Sequence, residues 1–325
     1  MNKQNSSAGR ELYHEIWREI KERFYDVERL SHWALWEHRY DEDITDDRSA
    51  LAFAKVMVAS LGDRYTLLVD SPSPTQAAHN IDCESAVTAK RFKCNIGCIK
   101  INSFQSLSVA DQVEASLTPM ADCDGFLVFV DSNPGGLLDV TLECLGLFFD
   151  QATLGALELR TSNGITIEEA YFMDDACVLR TIHPDGSQEL LPIPKRKCLI
   201  ADKPVAIVIG RGCGSSAELF AGALLANRRN SKRHQEGRSY NKRLCWSHGD
   251  RSGGKGIMQA PVDILKGRAQ LKVSVGRFLS PDGHWFGDGQ TDCRGIRPDF
   301  RVKGGPGRVC ELALRHLQRQ LHQAA

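Results

Sequence analysis

The stretch that decides the fold is VAIVIGRGCGSSAELFAGALLA, from Val205 to Ala226. Its first part, VAIVIG, is short, apolar and rich in β-branched residues, which is typical of a buried strand. A turn of small residues follows, and AELFAGALLA then carries leucine and alanine at helical spacing. The first amides of a helix are unpaired, and the helix dipole favours negative charge there. A serine at this point, Ser215 or Ser216, therefore suits either a nucleophile or an ordinary N-cap with Glu218 in the first turn.

A second stretch, GDRSGGKGIMQ from Gly249 to Gln259, places a single lysine, Lys255, in a run of glycines. A serine nucleophile needs a base, and a lysine can serve once loss of hydration lowers its pKa toward neutrality. Glycines let the backbone pack against the amine and exclude water. The alternative is a phosphate-binding loop, but Gly256 stands where such a loop carries the Ser or Thr that coordinates magnesium.

Together the two stretches resemble the carboxyl-terminal processing peptidases, also called tail-specific proteases, a Ser/Lys family. The family's S-A-S-E before a helix corresponds to residues 215–218, and its G-E-x-T-x-G-K-G-x-x-Q corresponds to residues 249–259. The resemblance implies that Ser215 is the nucleophile, Lys255 the general base and Gln259 the group that orients the lysine. It implies a reaction that requires no metal and no cofactor.

A third motif, DSNPGG from Asp131 to Gly136, follows the apolar run GFLVFV and resembles the family's DLRxNPGG. The resemblance places one oxyanion-hole amide on Gly135 or Gly136 and the second on the N–H of Ser216. Backbone amides are rigid donors, and a glycine turn lets a substrate carbonyl come close. Phe129 and Asp131 stand where the family has Asp and Arg, so we expect any ion-pair support for this turn to be lost or altered.

Two further residues compete for the catalytic roles. Cys213 is close to the serine in sequence, but a thiol two residues before it is expected to point elsewhere. His183 is a rival base, yet a lone histidine beside a PDG turn is expected at the surface. The alternative for the whole site is a catalytically inactive module on the same fold that binds peptides or apolar ligands. Lys255 argues against it, because a pure binder has no need of a buried, unpaired lysine.

The composition is that of an ordinary globular protein. The 325 residues are 42% hydrophobic and 25% charged with a formal net charge of zero, so no global attraction to nucleic acid or membrane is expected. Eleven scattered cysteines without a zinc-type pair favour reduced thiols. The sequence shows no signal peptide and no apolar run long enough to span a membrane. We expect a cytoplasmic enzyme with a polypeptide or peptide substrate, and homo-oligomers remain open.

Three parts are expected along the chain. Residues 1–66 form an N-terminal helical region, closed by LGDRYT, which resembles a phrase of the same family. Residues 67–92 form a short linker where the family usually inserts a PDZ domain. Residues 93–325 form the Ser/Lys peptidase core with a C-terminal helix. The fold expected is α/β, with a crotonase-like sheet-and-helix protease core, the N-terminal helical region and no PDZ domain.

The core is expected to carry a basic insertion at 227–243. This segment holds seven Arg or Lys residues and one Glu, which is typical of a solvated loop. Such a loop either attracts an acidic substrate segment or a partner, or is a surface insertion without a role.

Overall fold

A computed structural model describes residues 3–70, 86–173, 175–200, 203–229, 231–235 and 238–323. Over these ranges the helices are α1 Lys3–Arg23, α2 Asp47–Ala59, α3 Val109–Leu117, α4 Leu138–Gly146, α5 Ser216–Arg229 and α6 Pro306–His322. Short 3₁₀ helices span Val27–Leu30, Trp33–Trp36 and Thr118–Met120. None of the helices in these ranges combines the length and the apolar character needed to cross a bilayer.

The strands of the first half are β1 Leu67–Asp70, β2 Val87–Arg91, β3 Ile96–Ile101, β4 Gly125–Phe129, β5 Ala152–Thr161, β6 Gly164–Met173, β7 Ala176–Ile182 and β8 Gln188–Pro194. Those of the second half are β9 Val205–Ile209, β10 Ser231–Gln235, β11 Arg238–Lys242, β12 Cys245–Gly249, β13 Ile257–Ile264, β14 Ala269–Leu279 and β15 Phe300–Arg301.

One sheet carries the serine strand β9 at its centre. Its order is β15-β12-β9-β4-β3-β2, with parallel pairing from β15 to β3 and an antiparallel edge strand β2. Every residue of β4 and β9 is buried, as their unbroken apolar runs predict for parallel strands covered on both faces. Helices α3, α4 and α5 cover one face of this sheet, and α6 covers the other.

The second sheet is antiparallel and carries the residues that follow the lysine. Its order is β1-β14-β5-β6-β7-β8, and β13 also pairs with β14. Helices α1 and α2 lie in the predicted N-terminal helical region, and they share one apolar core with β13 and β14, including Leu12, Ile16, Leu271 and Val273. The helical region is therefore packed on the sheet that carries Gln259.

The predicted linker differs from the structure at both ends. Residues 67–70 are strand β1 in the antiparallel sheet, and residues 87–91 are strand β2 in the other. Leu68 packs against the helical core and Val87 is buried, so both ends gain apolar contacts that a free linker lacks. The middle of the predicted linker, residues 71–85, lies outside the described residues.

The predicted loop at 227–243 contains the end of helix α5 and strands β10 and β11 among the residues that the structure describes. Helix α5 continues through Arg228, whose guanidinium is buried and donates to the carbonyls of Phe148 (2.6 Å) and Ile200 (2.8 Å). A buried carbonyl needs a donor, and Arg228 supplies several. Strands β10 and β11 then pair as an antiparallel hairpin, which is ordered backbone and not an open loop.

Candidate active site

Ser215 ends the turn between β9 and α5 in an unusual backbone conformation. Its φ of 56° lies in the left-handed region, which a residue other than glycine rarely adopts. Such strain persists where neighbours over-determine it. The Ser215 amide donates to the carbonyl of Lys255 (3.0 Å), and the Ser215 carbonyl accepts from the amide of Glu218 (2.8 Å). These bonds hold the half-buried serine at the helix start and tie it to the lysine backbone.

Lys255 is held by a chain of hydrogen bonds that reaches the helical region. Its Nζ donates to Oε1 of Gln259 (3.1 Å), and Nε2 of Gln259 donates to the carbonyl of Tyr65 (2.7 Å). The Tyr65 contact fixes the direction of the Gln259 amide, so that its oxygen faces the lysine. The same Nζ lies 4.8 Å from the centre of the Tyr65 ring. The structure thus places Gln259 in hydrogen-bond contact with Lys255.

The surroundings of Lys255 favour its neutral form. Burial is the main cause that lowers the pKa of Lys255, and the positive charges of Arg64 and Lys272 lower it further, while Glu218 opposes them. Within the described ranges no carboxylate lies at ion-pair distance from its Nζ. A lysine in this setting is suited to accept a proton.

The serine and lysine loops are in contact, but their side chains are not hydrogen-bonded to each other in the described structure. A Cβ on Gly214 would lie 3.6 Å from Cβ of Lys255, and the Gly253 amide donates to the Cys213 carbonyl (2.7 Å). Catalytic hydrogen bonds are often long before substrate binds and shorten in the reacting complex. The backbone segments that carry the two side chains are therefore in contact.

The Gly-Gly turn packs directly on the serine. A Cβ on Gly135 would lie 2.8 Å from Cβ of Ser215 and 3.1 Å from the Ser216 nitrogen. The Gly135 amide already donates to Oδ1 of Asn133 (2.9 Å). The amides of Gly136 and Ser216 have no hydrogen-bond acceptor within the part of the chain described. The amides of Gly136 and Ser216 are thus free beside the serine in the described structure, whereas that of Gly135 is not.

A buried amide side chain, that of Asn133, links the glycine turn to its neighbours. Asn133 is fully buried, and its Nδ2 donates to the carbonyl of Ile101 (3.2 Å). The Asn133 carbonyl accepts from the amide of Gly214 (3.0 Å). Together with its bond to Gly135, this residue joins the end of β3, the glycine turn and the serine turn. The sequence interpretation quoted Asn133 within the motif and gave it no role.

Glu218 joins the serine helix to the lysine loop, and the sequence interpretation considered it only as a first-turn acid. It is fully buried, and its Oε1 accepts from the Ser252 hydroxyl and from the Gly254 amide (2.8 Å). The Ser252 hydroxyl also accepts from the amide of Ile296 (2.6 Å). Burial raises the pKa of Glu218 to about 7, against the opposing effect of these hydrogen bonds. The sequence feature that could have indicated this role is an acidic residue that directly follows small residues at the start of a buried helix.

The structure argues against both rival residues, although His183 is half-buried and not at the surface as expected. Cys213 is fully buried, and burial raises the pKa of its thiol well above the ordinary value, so the reactive thiolate is disfavoured. His183 lies after β7 in the turn toward β8, and its Nε2 is 3.3 Å from Glu189. That turn is at the far edge of the antiparallel sheet, beyond β5 and β6.

Residues 95–231 match the model of peptidase family S41. The S41 segment contains the glycine turn and Ser215, whereas Lys255 and Gln259 lie beyond it. The resemblance to carboxyl-terminal processing peptidases, first seen in the motifs, is confirmed.

Curated relatives carry the name "Probable CtpA-like serine protease". Those of Staphylococcus haemolyticus (strain JCSC1435) and Staphylococcus aureus (strain COL) are each 26% identical over 211 residues, which cover 65% of this chain and 34% of the relative. The chain thus spans about a third of the length of the curated relatives it matches.

Solved structures show the same fold. The photosystem II D1 C-terminal processing protease aligns with a TM-score of 0.64 at 14% identity, over 91% of this chain and 93% of that one. A lipoprotein from Streptococcus agalactiae aligns with a TM-score of 0.64 at 14% identity, over 98% of this chain and 97% of that one. The predicted α/β protease-core fold is confirmed by these alignments.

Glu218 gives the first prediction, which concerns stability against pH. A carboxyl with a raised pKa in the folded state still holds its proton at a pH where the unfolded state has released it. Its contribution to the free energy of unfolding therefore falls as the pH rises from about 4.5 to about 7. Replacing Glu218 with Gln keeps the acceptor oxygen and removes the titration. We expect the free energy of unfolding of Glu218→Gln, relative to wild type, to be higher at pH 8 than at pH 5 in urea titrations.

The matched control for this prediction is Asp150→Asn, at an exposed acid outside the site. The difference in free energy of unfolding between Asp150→Asn and the wild type is expected to change less between pH 5 and pH 8. If the free energy of unfolding of Glu218→Gln differed from that of the wild type by the same amount at both pH values, the raised pKa of Glu218 would be contradicted.

Proposed function

We propose that this chain is a serine endopeptidase that hydrolyses peptide bonds through Ser215, Lys255 and Gln259. The observation that carries the proposal is the half-buried Lys255 amine, held by Gln259 beside the Ser215 turn without a carboxylate partner in the described ranges. A lysine that serves only as a charge gains from an acidic partner, whereas a base needs a lowered pKa. The match of the Ser215 segment to peptidase family S41 supports the peptidase class.

The chemistry follows from the positions of these groups. Neutral Lys255 takes the proton from Oγ of Ser215 while Oγ bonds to the substrate carbonyl carbon. The amides of Ser216 and Gly136 hold the resulting oxyanion, since the Gly135 amide is already bonded to Asn133. Protonated Lys255 gives its proton to the leaving amine as the C–N bond breaks, and an acyl-enzyme remains.

The second half of the reaction returns the enzyme to its starting state. A water attacks the acyl carbon and passes a proton to Lys255, while the same amides hold the oxyanion. The bond between the acyl carbon and Ser215 Oγ then breaks, and Lys255 returns the proton to Oγ. Gln259 holds the lysine in place throughout, and no cofactor or metal takes part in the proposed reaction.

The finer form of the proposal is a cytoplasmic protease that processes a dedicated precursor. Ten cysteines within the described ranges are free thiols, which is typical of proteins in reducing compartments. A protease of this kind would cleave its own precursor faster than a general substrate such as casein.

The direct test compares cleavage of casein by the wild type, Ser215→Ala and Lys255→Ala. We expect both substitutions to lower kcat/KM by about 10³-fold or more, because nucleophile and base act together. Cys213→Ala is the control and is expected to keep most of the activity. Wild-type kcat/KM should rise with pH as Lys255 loses its proton, with a midpoint below the ordinary lysine pKa of 10.5. Cleavage that survives Ser215→Ala would contradict the assigned nucleophile.

A second test addresses the packing of the glycine turn. Gly135→Ala places a methyl group against Ser215 and is expected to lower kcat by about 10²-fold or more, as loss of oxyanion contacts does. Gly186→Ala is the matched control, because Gly186 also has a positive φ, of 83°, but has no atom within 4 Å of the added carbon. Equal losses of activity in the two variants would show that backbone strain, and not the contact with the serine, is responsible.

A further inference from the structure

A strongly basic cavity opens beside the proposed catalytic residues. Its volume is about 820 Å³, and its charged lining is five arginines and one acid: Arg64, Arg211, Arg251, Arg297, Arg301 and Asp250. Five guanidinium groups against one carboxylate leave an excess of four positive charges. The whole chain has 41 basic and 41 acidic residues, so this excess is local and not a property of the surface as a whole.

The cavity flanks the site and does not cover it. Ser252 and Gly253 of the lysine loop line it, as does Arg211 of the serine turn, whereas neither Ser215 nor Lys255 does. Gly253 precedes Lys255 by two residues, and the chain extends at most about 3.6 Å per residue, so the two Cα atoms are within about 7 Å. A substrate bound at Ser215 can therefore reach the cavity with side chains a few residues from the scissile bond.

The arginines have weak or neutral partners. Asp250 is shared between Arg211 (3.3 Å) and Arg301 (3.4 Å), and the exposed fractions of these arginine side chains are 83% and 66%. Exposed pairs of this kind contribute little and exchange readily.

Within the described ranges, the guanidinium groups of the other lining arginines form no ion pair with an acid. Arg64 donates to the carbonyl of Gly289 (3.4 Å) and Arg251 to that of Cys293 (3.2 Å), which are uncharged acceptors. Arg297 is exposed and makes no ion pair with any residue in the described ranges. The guanidinium groups are thus available to a ligand.

We propose that this arginine cavity binds carboxylate side chains of the substrate, so that the enzyme prefers peptides with several Asp or Glu residues close to the scissile bond. The inference rests on the peptidase function proposed above. Guanidinium groups bind carboxylates through paired hydrogen bonds, and arginine is suited to this more than lysine. A single chain terminus offers one carboxylate, whereas five arginines match an acidic segment of the peptide.

The test measures binding without cleavage. Fluorescent peptides of one sequence, with either Glu or Gln at four positions and with an amidated C-terminus, are titrated into the Ser215→Ala chain. We expect the Glu peptide to bind at least 10-fold more tightly than the Gln peptide, and its affinity to fall as salt rises. Adding Arg297→Gln and Arg301→Gln is expected to remove most of that difference. The matched control adds Arg18→Gln and Arg315→Gln, two exposed arginines outside the cavity, and should leave it unchanged.

Three results would overturn the inference. One is equal affinity for the Glu and Gln peptides. Another is a Gln peptide with a free C-terminus that binds as tightly as the amidated Glu peptide, which would assign the cavity to a chain terminus. The third is a single-stranded oligonucleotide of the same charge that binds more tightly than the Glu peptide, which would assign it to nucleic acid.

A cleavage assay separates this inference from the proposed function. If the wild type cleaves the Glu peptide with a kcat/KM at least 10-fold above that for the Gln peptide, both are supported. Equal cleavage of the two peptides would overturn the acidic preference and leave the peptidase assignment intact. If the wild type cleaves neither peptide while the binding difference persists, the carboxylate site stands as a binding site, and the casein assay decides the peptidase proposal.

Discussion

The geometry of the site depends on one buried carboxylate. Glu218 sits on the first turn of the helix that starts beside Ser215, and it accepts hydrogen bonds from Ser252 and Gly254 of the lysine loop. A buried carboxylate without donors is very costly, so these donors must stay in place for the fold to be stable. Lys255 follows Gly254 directly. The helix that presents the serine therefore also fixes where the lysine enters the site.

The rest of the site is built with backbone groups and amides. Asn133 joins the glycine turn to the serine turn, and Gln259 joins the lysine to the backbone of Tyr65. Neither link carries a charge, so neither attracts the ammonium form of Lys255 as a carboxylate would. This arrangement limits the electrostatic stabilisation of the ammonium form and keeps the lysine suited to act as a base.

The sequence predicted the strands and helices whose apolar residues follow a regular local pattern. The apolar runs GFLVFV and VAIVIG and the N-terminal helical region correspond to β4, β9 and α1, because their apolar residues recur at the spacing of a strand or a helix. The roles of Glu218, Asn133 and Arg228 were not predicted, because each depends on partners distant in sequence. Strand β8, with Pro192 and Pro194, was missed since proline is tolerated only at an edge, which a single sequence does not reveal.

The central claim is that a neutral Lys255 activates Ser215, and covalent labelling tests it without knowledge of the substrate. The protein is treated with a fluorophosphonate, which reacts with activated serines, and the labelled peptide is identified by mass spectrometry. The account predicts a label on Ser215 in the wild type, at a rate that rises with pH, and loss of that label in Lys255→Ala. A label on Ser215 that forms equally fast in Lys255→Ala, or a label on another serine alone, would contradict it.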